Sequence, residues 1–192
     1  MIDRNNLDRS NIVPYLADIF HRRGAESYLG EAVTMSQHML QAAQNAEQAG
    51  ENQSVITAAL LHDIGHYTGE FPEDYIEQGI DNRHQITGAA VLEKFFHADV
   101  VEPVRWHVEA KRYLCAVDEG YFRRLSEASV ETLKLQGGPF NSEQITEFER
   151  NPYMDSIIRV RKYDDAAKDQ DKDTPTIDHY LPIIQVLLDS YE

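Results

Sequence analysis

Apolar residues recur along this chain at helical rather than strand spacing, and no alternating run of useful length appears. Ile12, Leu16, Ile19 and Phe20 share one side of a predicted helix over 11–23. Met35, Met39, Ala42, Ala43 and Ala46 do the same over 34–49. Ser54 is a candidate N-cap for a third helix through Val55, Ile56, Ala58, Ala59, Leu60 and Leu61, which Gly65 would end. An acidic, irregular stretch follows over 69–83, with Pro72 and two glycines. Helices resume over about 85–96 and 100–113. Shorter pieces span 120–134 and are broken at Gly137-Gly138-Pro139. Three more helices are expected over 142–149, 153–168 and 178–190, the last two separated by a charged loop. The fold class is therefore all-α: one helical bundle over 1–192, with its core at about 12–190.

Length and composition agree. The 192 residues, 42% of them apolar, fit one domain able to bury a core. No apolar run approaches the ~20 residues of a membrane span, and the polar, charged start is unlike a secretory signal. The single cysteine, Cys115, allows neither an internal disulfide nor a thiolate metal cluster, which suggests a reducing, cytoplasmic setting. A net charge of −15 argues against nucleic acid as a partner. It leaves open a small anion held in a locally cationic pocket. A monomer or weak oligomer with no membrane partner is expected.

The chemistry lies in the placement of the histidines. His38 is on the apolar face with Met35, Met39 and Ala42. His62 and Asp63 close an apolar helix, His84 begins one, His107 is mid-helix beside Trp106, and Asp164 belongs to a late helix. Any one of these alone is an ordinary core or surface residue. Together, four histidines and two carboxylates on separate helices can converge on metal in a bundle core. Imidazole and carboxylate suit iron, zinc, manganese or cobalt, and the lack of thiolate disfavours a structural zinc site. Lys111 follows His107 by four, Lys168 follows Asp164 by four, and Arg161 precedes Asp164 by three. On helices, these cations would share faces with the candidate ligands. Lys111 with Arg161 makes a fork for phosphate or phosphonate.

The order His…His-Asp…His…His…Asp resembles the HD-domain superfamily of metal-dependent phosphohydrolases and related oxygenases, and the additional His84 and His107 resemble its two-metal subset. That resemblance implies a di-metal site in the core: His38, His62 and Asp164 on one ion, His84 and His107 on the other, and Asp63 bridging. Four strings look closer still to one family: Ser27-Tyr28-Leu29-Gly30-Glu31, His62-Asp63-Ile64-Gly65-His66-Tyr67, Ala110-Lys111-Arg112-Tyr113-Leu114, and Leu125-Ser126-Glu127-Ala128-Ser129 with Gln136-Gly137-Gly138-Pro139. They resemble the HD-domain mixed-valent di-iron oxygenases that cleave the carbon–phosphorus bond of 1-hydroxy-2-aminoethylphosphonates. The stretch 25–41 is nearest to the branch acting on the trimethylammonium substrate.

The resemblance implies two irons in mixed Fe(II)/Fe(III) valence, O2 as co-substrate and a small hydroxyphosphonate as partner. Asp63, His66 and Lys111 fall on catalytic positions, and His66, Lys111, Ser129, Gln136 and Arg161 on the phosphonate-binding set. Tyr28 and Glu31 fall on the pair that guards the open iron position and then meets the substrate's amine, with Tyr67 a further aromatic for its methyl groups. The expected products are glycine betaine and phosphate. The alternatives are glycine from the primary amine, or phosphoester hydrolysis at the same two metals, which would need no oxygen.

Overall fold

The computed structural model describes residues 6–26, 31–68 and 78–191. Within them the chain forms α1 (Ile12–Arg23), α2 (Met35–Gln48), α3 (Gln53–Leu61), α4 (Gly65–Thr68) and α5 (His84–Leu92). The long α6 (Ala98–Val117), α7 (Glu127–Leu135), α8 (Ser142–Phe148), α9 (Met154–Asp165) and α10 (Ile177–Ser190) follow. No strand occurs among the described residues, and no helix there is long and apolar enough to cross a membrane.

The helix α3 explains the architecture. Every residue from Val55 to Leu61 is buried, and a helix apolar on all sides must be surrounded. It contacts α2, α6, α9 and α10. Its N-cap is Asn52, whose side chain accepts from the Val55 N–H at 3.0 Å. Ser54, the expected cap, instead lies within the first turn. At the other end His62 is the C-cap, so the His-Asp pair leaves the buried helix in the middle of the molecule.

Helix α2 is started by a capping box, Thr34 with Gln37, which fixes the register that turns His38 inward with Met35, Met39 and Ala42. Helix α9 buries Ile157, Val160, Arg161 and Asp164, one face at helical spacing. A second cluster, with Tyr113, Tyr121, Phe148 and Ile157, joins the far half of α6 to α8 and α9. It supports the wall that carries Lys111 and Arg161.

Gly65 does not end α3; it begins the single-turn α4. The backbone of α5 passes so close that a Cβ on Gly65 would lie 1.8 Å from the His84 carbonyl oxygen. Gly88 returns the contact, its Cβ position lying 3.0 Å from the Gly65 nitrogen. Two glycines thus allow the close approach that brings His84 to the Asp63 side of the bundle.

Candidate metal centre

Each candidate histidine is oriented by its outer nitrogen. Nδ1 of His38 meets the Ala167 carbonyl at 2.9 Å, that of His62 the Ala59 carbonyl at 2.7 Å, and that of His107 the Val104 carbonyl at 2.8 Å. His84 Nδ1 meets Asn82 Oδ1 at 2.9 Å. A carbonyl oxygen only accepts, so each neutral ring carries its proton on Nδ1 and turns the Nε2 lone pair inward.

Those lone pairs converge. Nε2 of His38 and His62 lie 3.0 Å apart, and Nε2 of His84 and His107 lie 3.1 Å apart. Asp63 stands between the pairs. Its Oδ2 is 3.5 Å from both His38 and His62, while its Oδ1 is 3.1 Å from His84 and 3.4 Å from His107. Oδ2 is buried with no hydrogen-bond partner among the described residues. Asp164 Oδ1 completes the first group, 3.4 Å from His38 and 3.8 Å from His62.

Lone pairs facing one another at 3 Å around buried carboxylates repel unless cations lie between them. Nitrogen–metal bonds of about 2.1 Å at right angles separate two ligand atoms by about 3.0 Å, so the spacing fits metal. The donor set suits two ions: His38, His62 and Asp63 can hold one, and Asp63, His84 and His107 the other.

Electrostatics point the same way. Burial disfavours a charged His38, yet Asp164 and Asp63 outweigh it and hold its pKa up to about 9. Burial also opposes ionisation of Asp63 and Asp164, but His62 and His84 around the one, and Arg161 and His62 around the other, keep both well below the usual carboxylate range. His107 is depressed to about 4 by burial, and His66 to about 3 by burial and then by His84.

A cleft of about 530 Å³, its open mouth included, lies against the Asp63–His84–His107 side. It gathers Glu31, His66, Lys111, Ser129, Gln136 and Arg161, the described members of the expected substrate set. Tyr28 lies outside the described residues, as does most of the acidic loop. His38 and His62 are fully buried behind this wall.

Three cations, Lys111, Arg161 and Lys168, face the cleft, set among the carboxylates of Glu31, Asp63, Asp81 and Asp164. Lys111 is 3% exposed and donates to Thr132 Oγ1 at 2.8 Å. Burial, then the charge of Arg161, bring its pKa down to about 7. Arg161 donates through Nη1 to Asp164 Oδ2 at 2.7 Å, through Nε to the Tyr121 hydroxyl at 3.0 Å, and through Nη2 to Asp165. Tyr121 in turn donates to Asp165. Lys168 reaches Glu31 at 2.7 Å, Ser126 at 2.8 Å and Ser129 at 3.1 Å.

Some of this differs from the sequence reading. Helix α9 stops at Asp165, so Lys168 enters from the following segment rather than from the helix face of Asp164. Glu31, expected to face a substrate amine, already holds Lys168 on Oε1. Tyr67 is turned away from the cleft: its hydroxyl donates to the Arg23 carbonyl at 3.3 Å, and the Arg23 guanidinium lies over its ring. Thr132 and Asn82 also line the cleft. Thr132 was detectable in principle, because Ser129 and Thr132 on α7 and Gln136 at its C-cap recur at helical spacing.

The HD domain family model matches residues 35–166, which span all six candidate ligands. Over 98% of this chain and 96% of the relative, the sequence is 50% identical to a [1-hydroxy-2-(trimethylamino)ethyl]phosphonate dioxygenase (glycine-betaine-forming) from Leisingera caerulea. Over 85% of this chain and 82% of the relative, it is 40% identical to a hydroxymethylphosphonate dioxygenase from Gimesia maris. With its histidines and aspartates gathered in the core of an all-helical bundle, the chain belongs to the HD-domain family, alongside these phosphonate dioxygenases.

Proposed function

We propose that the protein is an O2-dependent di-iron dioxygenase that cleaves the carbon–phosphorus bond of (1-hydroxy-2-(trimethylammonio)ethyl)phosphonate, releasing glycine betaine and phosphate. The observation that carries this reading is the meeting, in one cleft, of a shared-carboxylate metal centre with Lys111, Arg161, Ser129 and Gln136. The relative matched over 98% of the chain acts on that phosphonate.

Two irons in mixed Fe(II)/Fe(III) valence would supply O2 activation for a four-electron oxidation of C1 from hydroxyalkyl to carboxylate, with C–P cleavage and release of phosphorus as phosphate. His38, His62 and Asp164 would hold one ion and His84 and His107 the other, with Asp63 shared between the two groups.

The chain's other residues bind and orient. Lys111 gives one N–H to Thr132 and keeps two for the phosphonate. Arg161 has committed three of its five N–H donors and keeps two. Ser129 Oγ accepts from Lys168, so its own O–H can donate to a phosphonate oxygen. His66 and the Gln136 amide complete the set. Asp164 accepts from Arg161 on Oδ2 and faces the histidines through Oδ1, so the anion anchor and the metal ligand are held in one frame. A phosphonate held by these donors would bring the substrate's C1 beside the centre, where orientation contributes most to rate. Glu31 supplies negative charge near the cationic end, moderated by Lys168.

Phosphate release in air from the trimethylammonium, primary-amine and unsubstituted hydroxymethyl phosphonates, compared side by side, tests the assignment. The trimethylammonium compound is expected to give the highest kcat/KM, by about tenfold or more. Preference for either of the others would overturn the choice of substrate.

A further inference from the structure

Among the described residues, Arg83 is the only one besides glycines with a left-handed backbone, φ 48°. It is the N-cap of α5 and makes no side-chain cap. Such a conformation is costly for a residue with a Cβ, and it persists where the surroundings enforce it. What it accompanies is the placement of the preceding residue, Asn82, which is buried against two histidines.

Asn82 Oδ1 lies 3.2 Å from the His84 backbone nitrogen and 2.9 Å from His84 Nδ1. A backbone N–H can only donate, so the atom it meets is the amide oxygen and the orientation of the amide is settled. The amide nitrogen therefore faces His66 Nδ1, at 3.2 Å. An NH2 group only donates, so His66 Nδ1 accepts and carries no proton. The ring's proton is then on Nε2, which lies 3.9 Å from Asp63 Oδ1 in a residue that lines the cleft. The two imidazoles stack with centroids 4.2 Å apart and planes 19° from parallel, and Asn82 grips both by the same edge.

We propose that Asn82 is a positioning residue that sets both tautomers at once, making His84 an Nε2 metal ligand and His66 an Nε2–H donor to the anionic group of the substrate. That this anion is a phosphonate rests on the function proposed above; the tautomers do not. An amide suits the position because it accepts on one side and donates on the other. A carboxylate would serve His84 equally well but would offer His66 a second acceptor. The His66 proton would then move to Nδ1, leaving an Nε2 lone pair that repels an anion.

The test is Asn82→Asp in the full-length, metal-loaded protein. Imidazole nitrogen NMR on 15N-histidine-labelled, zinc-loaded protein, with His66 assigned by His66→Gln, reads the tautomers directly. In the parent the His66 proton is expected on Nε2, and in Asn82→Asp on Nδ1. Metal per chain stays at the parent value, while KM for the hydroxyphosphonate rises about tenfold or more through loss of a donor to a charged group. A purely structural role would leave the tautomer and KM unchanged in this near-isosteric variant. That result, or a parent His66 protonated on Nδ1, would overturn the inference. The parent spectrum decides even if the variant fails to fold. If the functional reading were wrong, the parent would show the same His66 tautomer but no oxygen-dependent turnover.

Discussion

Asp63→Ala is expected to lose both metal ions and at least about four orders of magnitude in turnover. Asp63 faces His38 and His62 through Oδ2 and His84 and His107 through Oδ1, so on the proposed assignment one deletion would strip a ligand from each ion and the carboxylate they share. His84→Ala removes a ligand from one group only and should leave about one ion per chain. Asp63→Asn separates charge from packing, since it keeps the shape of the side chain but removes the negative charge that balances two cations. Elemental analysis of the purified variants, with circular dichroism to verify helicity, checks all three. Two ions retained by Asp63→Asn and Asp63→Ala would show that the bridge lies elsewhere.

The second large effect concerns Lys111. Its ammonium is buried beside Arg161 and holds its proton only to about 7 in the free protein. Below that pH the cation is present to receive an anion; above it, a neutral amine offers no charge. kcat/KM reports groups of the free enzyme, so it should fall on the alkaline side through about pH 7. Cations in the nearby centre push this limb lower. A bound phosphonate stabilises the ammonium, which places the corresponding limb of kcat higher. Lys111→Arg, charged throughout the accessible range, should abolish the alkaline limb. Lys111→Met should raise KM about a hundredfold, the order expected for loss of a buried charge partner. An unchanged alkaline limb in Lys111→Arg would assign the titration to another group.

Helix periodicity made most of this architecture legible. The apolar faces of α1, α2, α9 and α10 are dictated by their sequences, and a run as uniformly apolar as Val55–Leu61 has to be central. The candidate ligands were legible for a related reason: His38 shares the buried face of α2, and His62 with Asp63 closes the innermost helix. Less legible were features set by tertiary contact. Helix α9 stops at Asp165, and two residues later the Ala167 carbonyl receives the His38 Nδ1 proton. Nothing local in the sequence marks that end, so Lys168 reads as helical when it is not. Asn82 was invisible because, beyond its local contact with His84, its partner His66 is joined to it only when Gly65 and Gly88 let α4 and α5 meet. Tyr121 and Asp165 likewise acquire meaning only through Arg161, which they hold in place.

Oxygen stoichiometry separates oxidative from hydrolytic cleavage at the centre proposed around Asp63. Iron-loaded protein and (1-hydroxy-2-(trimethylammonio)ethyl)phosphonate, followed with an oxygen electrode and a phosphate assay together, should consume O2 and release phosphate in equal amounts, with no phosphate formed under anaerobic conditions. Phosphate released without oxygen uptake would show that the cleavage is hydrolytic and that the protein is not an oxygenase.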